Sequence, residues 1–447
     1  MTEAAGRPQG RITIWHLLLL APWVAVAAGA WKAITDNSFL WHVRAGTLQM
    51  GTGQVLVEDP FSFTMAGESW LTQSWLVELL YGWLEGGSGL GFVPLMLVVL
   101  GLLTFATIGC VAYRDSASVP ATATVLLLTL FALLTFLVPR PVLFSYLLMA
   151  LVVLAWARPS TRWALPFLFW MWAASHGSFV IGLAYLGIML LLEREWRWLP
   201  TAVASGLVTL ATAHGLSVVQ FLVGFGANRE ALDSLTEWRR PGLDDPAFLA
   251  LLAIVVLIVV GLIRNQFGMS RLLLVVPFLF LGTTSLRAIP PVFIGLVPLA
   301  AQSLRGVRFP LQRGLSPVPA GVLAVAIVAL PLFLIGDAGL SEQRFPTVAS
   351  DELEDVRTFH DDVVGGYLIW AEWPETLVYV DDRAELYGDR LGELVAVRRG
   401  ELDWEPIFER DGVEQALLGA EEPLAADLVA AGWTVDYEDD NFVVLTP

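Results

Sequence analysis

Two stretches of this chain, residues 121–138 and 247–263, contain no charged side chain at all. A helix needs ~20 predominantly apolar residues to cross ~30 Å of hydrocarbon, and fewer where a bilayer thins. Similar runs recur through the first three quarters of the sequence. Lipid offers the backbone no hydrogen-bond partners, so a spanning segment must be a helix or part of a closed barrel, and long unbroken apolar runs select the helix. The expected fold is therefore an α-helical polytopic membrane protein, with a small soluble α/β domain at the C-terminal end.

Charge divides the chain in the same place. Charged residues make up 15% of the 447 residues, against about 25% in a typical soluble domain. The formal net charge is −17, but residues 341–447 hold 27 acids and 7 arginines, a net −20 that leaves the remainder at +3. An acidic surface argues against nucleic acid as a partner, because phosphate binding needs basic patches. The single cysteine, Cys110, has no second thiol for a disulfide or a multi-thiol metal site. The apolar run over residues 12–33 is too long for the hydrophobic region of a cleavable signal and is expected to be a first membrane anchor.

Arginine placement predicts the topology. Arg7 and Arg11, Arg114, Arg158 and Arg162, Arg194 and Arg197, Arg264 and Arg271, and Arg305, Arg308 and Arg313 fall at every second gap between apolar runs, as cytoplasmic loops should. The parity gives about eleven spans: 13–34, 90–113, 121–138, 142–157, 163–176, 178–193, 199–222, 247–263, 271–286, 290–304 and 317–336. Residues 1–12 then lie in the cytoplasm, and the acidic domain, 341–447, is delivered outside the cell membrane. Two outer loops are long, 35–89 and 224–246. The first holds an amphipathic stretch, 70–83, suited to a helix at the membrane interface. In the tail, 367–371, 377–380 and 442–445 read as strands, and 351–360 and 424–431 as helices.

The candidate chemistry gathers on the outer side. Asp36 directly follows the first span, where an ionisable group is costly unless paired or useful. Beside it lie His42 and Arg44. A carboxylate at a cavity rim can act as general base for an acceptor hydroxyl, and the same carboxylate can cap a helix or join a salt bridge. Glu58 and Asp59 on the same loop could hold a divalent cation such as magnesium or manganese with Asp36, and Asp59-Pro60 is equally a turn starter. Arg140, Arg229, Arg239, Arg240 and Arg287 are outer guanidinium groups matched to phosphate oxygens, though any one of them also suits interfacial anchoring. Arg140 and Arg287 stand out because each sits in a very short gap between spans. His176 and His214 each precede a glycine near a span end, where helix-end packing is the plainer reading. The segment Asp381-Asp382-Arg383-Ala-Glu385-Leu-Tyr387-Gly388 follows an expected strand and reads as a solvated, salt-bridged loop or a ligand loop.

The stretch from Asp36 to Gly46, then Asp59-Pro-Phe-Ser-Phe-Thr64, Gly67-Glu-Ser-Trp70, Trp172-Ala-Ala-Ser-His176-Gly177, Glu237-Trp238, Arg287, Gly365-Gly-Tyr-Leu-Ile-Trp370 and the 381–388 segment resemble GT-C-type glycosyltransferase-like multi-pass membrane proteins, relatives of the dolichyl-phosphate-mannose mannosyltransferases. Two departures stand out. Similar proteins tend to have an acid where Ser74 precedes Trp75-Leu76, and Asp-Gly-Arg where this chain has Asp381-Asp382-Arg383. The resemblance implies a GT-C architecture with an outer-face active site. Asp36 would be base or metal ligand, and the donor a sugar carried on a polyprenyl phosphate. His42, Asp59, Arg44, Glu58, Arg140, His176, Arg239 and Arg287 would complete the site, and the acceptor would be a glycan, lipid or protein. The alternative is a non-enzymatic membrane protein, a lipid-linked glycan transporter or a surface-polysaccharide assembly factor. A transporter would be expected to show inverted repeats, and the sequence shows none.

Overall fold

Proline and glycine cut several expected spans into shorter helices. The computed structural model describes residues 12–218, 238–311, 314–329 and 339–447. The first expected span is two helices, α1 (Ile14–Leu18) and α2 (Ala21–Ala30), because Pro22 lacks an N–H and opens a new helix at its first turn. Helix α3 (Asn37–Thr52) crosses the first long loop, capped by Asp36 and ended at Gly53 in the left-handed conformation. The amphipathic helix, α4, covers Trp75–Ser88 and so starts five residues later than the 70–83 stretch. The delay has a cause: Glu58 and Ser69 form a β-bridge, and the Trp70 N–H donates to the Val57 carbonyl at 2.9 Å, which holds that segment extended.

The apolar helices follow: α5 (Val93–Ser116), α6 (Val119–Leu133), α7 (Val142–Trp156), α8 (Leu165–Ala173), α9 (Phe179–Glu193), α10 (Leu199–Leu207), α11 (Pro246–Ile263), α12 (Leu272–Gly282), α13 (Ile289–Ser303) and α14 (Pro317–Ala329). Among the described residues, four helical stretches are long and apolar enough to cross a membrane: Trp75–Ser116, Val119–Phe136, Pro246–Ile263 and Leu286–Ser303. The 24 residues of α5 reach about 36 Å at the α-helical rise. The expected spans 163–176 and 199–222 are shorter, with α8 and α10 each starting at a proline-bearing first turn. Residues 219–222 and 330–336 of the expected seventh and eleventh spans, and Arg7, Arg11, Arg229, Glu237 and Arg313, lie outside the described residues.

Leu95, Val256, Ile263, Val276 and Phe280 are each more than half exposed on these helices. Water would not tolerate apolar belts of this kind, and lipid would. With the span-length helices they mark a membrane protein. Inside, α13 is surrounded, with most of its side chains buried.

The tail carries a four-stranded sheet in the order β1-β2-β4-β3, formed by β1 (Thr358–Phe359), β2 (Gln415–Gly419), β3 (Thr434–Glu438) and β4 (Phe442–Thr446). Strand β1 pairs parallel to β2, and the other pairs are antiparallel. Its helices are α15 (Asp362–Ala371), α16 (Ala384–Tyr387), α17 (Asp389–Arg398), α18 (Glu405–Asp411) and α19 (Pro423–Ala430). Three expectations are corrected. Residues 367–371 are the end of α15, a helix capped by Asp361, whose side chain accepts from the Val364 N–H at 2.7 Å. Residues 377–380 join no strand of the sheet. They run along the first loop instead, with the Val378 N–H donating to Phe61 and the Phe63 N–H to Val378, both at 3.0 Å. Residues 351–360 hold a short 3₁₀ turn (Ala349–Glu352) and then β1. The tail is not a loosely hung appendage: Val364, Leu368 and Ile369 of α15 share one apolar core with Phe39, Leu40 and Val43 of α3.

Candidate active site

Where α3, α4, the ends of several apolar helices and the tail meet, they enclose a cavity of about 720 Å³, within the size range of small-molecule sites. Charged groups of both signs line it, Glu78 of α4 and Arg344 and Arg383 of the tail among them. Arg140 stands in the gap before α7 and Arg287 in the gap before α13. Facing them from the tail are Asp362, Asp382 and Glu385.

Asp36 lies behind Arg140. Its Oδ1 accepts the Phe39 N–H at 2.9 Å, and its Oδ2 accepts from Arg140 Nε at 2.6 Å. It is thus both helix cap and ion-pair partner, and it is not among the residues lining the cavity. Arg140 Nη2 lies 4.0 Å from Asp382. Asp382 also accepts from Trp41 Nε1 at 2.7 Å and from the Ser38 hydroxyl. Arg287 lies over the Trp238 ring at 5.3 Å and places Nη2 3.0 Å from His176 Nε2. His176 Nδ1 meets the Ser178 N–H at 3.1 Å.

His42 lines the cavity and holds Glu78 Oε1 at 2.8 Å. Glu78 is fully buried and also accepts from Gln49 Nε2 at 2.7 Å and Thr72 Oγ1 at 2.5 Å. The Ser74 departure weakens the expectation of a catalytic carboxylate from this helix, yet Glu78, one turn later, brings a carboxylate to the cavity lining. The sequence held a signal for it: Glu78 is the single charge in the apolar run from Trp75 to Trp83, and an ionisable group in such a run is costly unless it is used.

The other expected site residues lie elsewhere. Arg44 donates to the last carbonyls of α15, Ile369 at 3.2 Å and Trp370. Arg239 pairs with Asp245. Glu58 is exposed on its loop. Asp59 is buried and accepts from Arg383 Nη1 at 2.8 Å and from Ser62. His214 Nε2 meets the Thr72 carbonyl at 2.7 Å. The 381–383 segment is not a solvated loop: Asp381 and Arg383 are almost fully buried, joined at 2.7 and 2.6 Å, with the guanidinium 4.4 Å from the Trp70 ring. Among the described residues no set of three His, Cys, Asp or Glu side chains is placed to hold a metal ion. Asp36 and Asp59, the expected cation ligands, are each taken up by a different arginine.

Burial shapes the protonation of the tail carboxylates. It pushes Asp362 up to about 7, with Asp361 and Asp382 adding repulsion. Burial also raises Glu385, whose carboxylate accepts from Trp70 Nε1 at 3.3 Å.

The helical part and the tail together have the fold of a solved structure, in agreement with the GT-C-like architecture that the sequence resemblance implied. The crystal structure of ArnT from Cupriavidus metallidurans in the apo state is similar to this chain, with a TM-score of 0.53 at 14% identity over 97% of each chain. No protein-family model matches the sequence, and no curated protein does.

Proposed function

We propose that this protein transfers a sugar from a polyprenyl-phosphate carrier to an acceptor outside the cytoplasm, with the reaction carried out in the cavity between the membrane helices and the tail. The observation that carries the reading is the placement of Arg140 and Arg287, each just before the start of an apolar helix, in the lining of one cavity. Guanidinium forks suit a phosphate group, and they stabilise the charge that grows on it as the bond to the sugar breaks. The carrier's apolar tail would remain in lipid beside the exposed helix faces. Asp36 acts through Arg140, fixing the direction of its guanidinium. The orientation follows from the arginine-bearing gaps, with the N-terminus in the cytoplasm and the tail outside the cell membrane.

The test is transfer of labelled sugar from polyprenyl-phosphate donors by the purified protein in lipid vesicles. Asp36→Asn keeps most of the cap geometry and removes the charge that orients Arg140. It is expected to lower the rate about a hundredfold, the size of effect that follows a misplacement of about 1 Å in a catalytic group. A wild-type protein that moves no sugar from any of these donors would sink the reading.

A further inference from the structure

Resting on the transferase reading, we infer that Asp362, on the tail's face of the cavity, is the group that takes the proton from the acceptor hydroxyl. Four other carboxylates stand near, and each is committed. Both oxygens of Asp36 are engaged, by Phe39 and Arg140. Glu78 accepts from three side chains. Asp382 accepts from Trp41 and Ser38, and Arg140 lies beside it. Glu385 accepts from Trp70 and lies near Arg383. Hydrogen bonds to an ionised carboxylate stabilise that form and make it a poor base; burial raises Glu385 as it does Asp362, and the Trp70 indole N–H on its carboxylate is what sets Glu385 apart. Asp362 is different. It lines the cavity, and no donor from another described residue reaches its carboxylate; the Asn37 amide bonds its backbone carbonyl instead, at 3.2 Å.

The charged groups around it are Asp361 and His360 next to it in the chain, Asp382 from the 381–383 segment, Arg398 from α17, and Arg140 and Arg344 elsewhere on the cavity wall. Arg398 is held by Asp361 at 3.0 Å and Glu422 at 2.6 Å, which spends most of its charge away from Asp362. Burial and its two acidic neighbours bring Asp362 to about 7, near the value at which a general base is most effective at neutral pH.

The step balances as follows. The bond from sugar C1 to the phosphate oxygen breaks, and its electron pair leaves on the polyprenyl phosphate, held by Arg140 and Arg287. The acceptor oxygen forms the new bond to C1. Its proton passes to the Asp362 carboxylate, which later releases it to water. Arg140 and Arg287 stand at the membrane helices and Asp362 on the tail, which assigns the sides: phosphate against the helices, hydroxyl against the tail.

The experiment is the pH dependence of transfer by the full-length protein in vesicles, for the wild type, Asp362→Asn and Asp362→Glu. The wild-type rate is expected to rise through an apparent pKa near 7. Asp362→Asn should lose that rise and about a hundredfold or more in kcat above it, with the donor KM little changed. Asp362→Glu keeps a carboxyl and should recover a titrating limb at a lower rate, which separates lost chemistry from lost folding. If the wild type transfers sugar and Asp362→Asn retains the same limb and rate, the assignment falls while the transferase reading stands. If the wild type transfers none, both fall.

Discussion

Gly46→Ala is expected to abolish the seating of α3 on α4. A Cβ built on Gly46 would lie 1.8 Å from the Glu78 carbonyl oxygen and 2.4 Å from its carbonyl carbon. Overpacking a core costs about 1–3 kcal/mol when side chains can move aside. Here the obstacle is helix backbone, so the two helices must part, and the cost should exceed that range. Gly82→Ala fails from the other side, with its Cβ 2.5 Å from the Thr47 nitrogen. The consequence goes beyond stability, because Glu78 and His42 ride on these two helices and line the cavity together. The check is thermal unfolding of the purified variant in detergent. A melting temperature close to wild type would show that the two helices do not meet as described.

The second large effect is expected from Arg383→Met. Arg383 is fully buried between two carboxylates, Asp381 at 2.6 Å and Asp59 at 2.8 Å, and an aromatic ring of Trp70 lies over it. Asp59 belongs to the first loop and Asp381 to the tail, so this one guanidinium fastens the two together. Methionine fills part of the volume and leaves both acids without a counter-charge. Removing one partner of a buried ion pair typically costs about 3–5 kcal/mol, and two stranded carboxylates place this case at the upper end. Lysine is not a substitute, since a point charge cannot bridge both sites with the fork's geometry. Limited proteolysis should release a C-terminal fragment from Arg383→Met under conditions that leave the wild type intact. Resistance equal to wild type would show that the tail is held by its apolar contacts alone.

Much of the membrane part was legible because a bilayer imposes a length, and an uncharged run of that length has few other uses. Legibility failed where a helix is set by local chemistry rather than thickness, as at Pro22, which starts a new helix inside the first expected span. Arg140 and Arg287 could be picked out because a cation in a gap of three residues between expected spans has little room to be a mere loop residue. Asp362 and Arg344 could not, and Asp382 could be marked only as part of a salt-bridged or ligand loop, since nothing along the chain says that the tail folds back over the gaps before α7 and α13. Residues 367–371 illustrate the reason. Tyr367, Leu368, Ile369 and Trp370 suit a strand by side-chain type, but the Asp361 cap and burial against α3 make them helix. Glycine decides that contact: a Cβ on Gly366 would meet the Asn37 backbone at 2.7 Å.

The lining of the cavity is gathered from along the whole polypeptide: α3 from near the beginning, Arg140 and Arg287 from the middle, and Asp362, Asp382 and Glu385 from the last hundred or so residues. During synthesis every apolar segment can enter the bilayer before the pocket exists. A product cut short just beyond α14 would therefore keep the apolar helices and lack Asp362, Asp382 and Glu385 from the cavity lining.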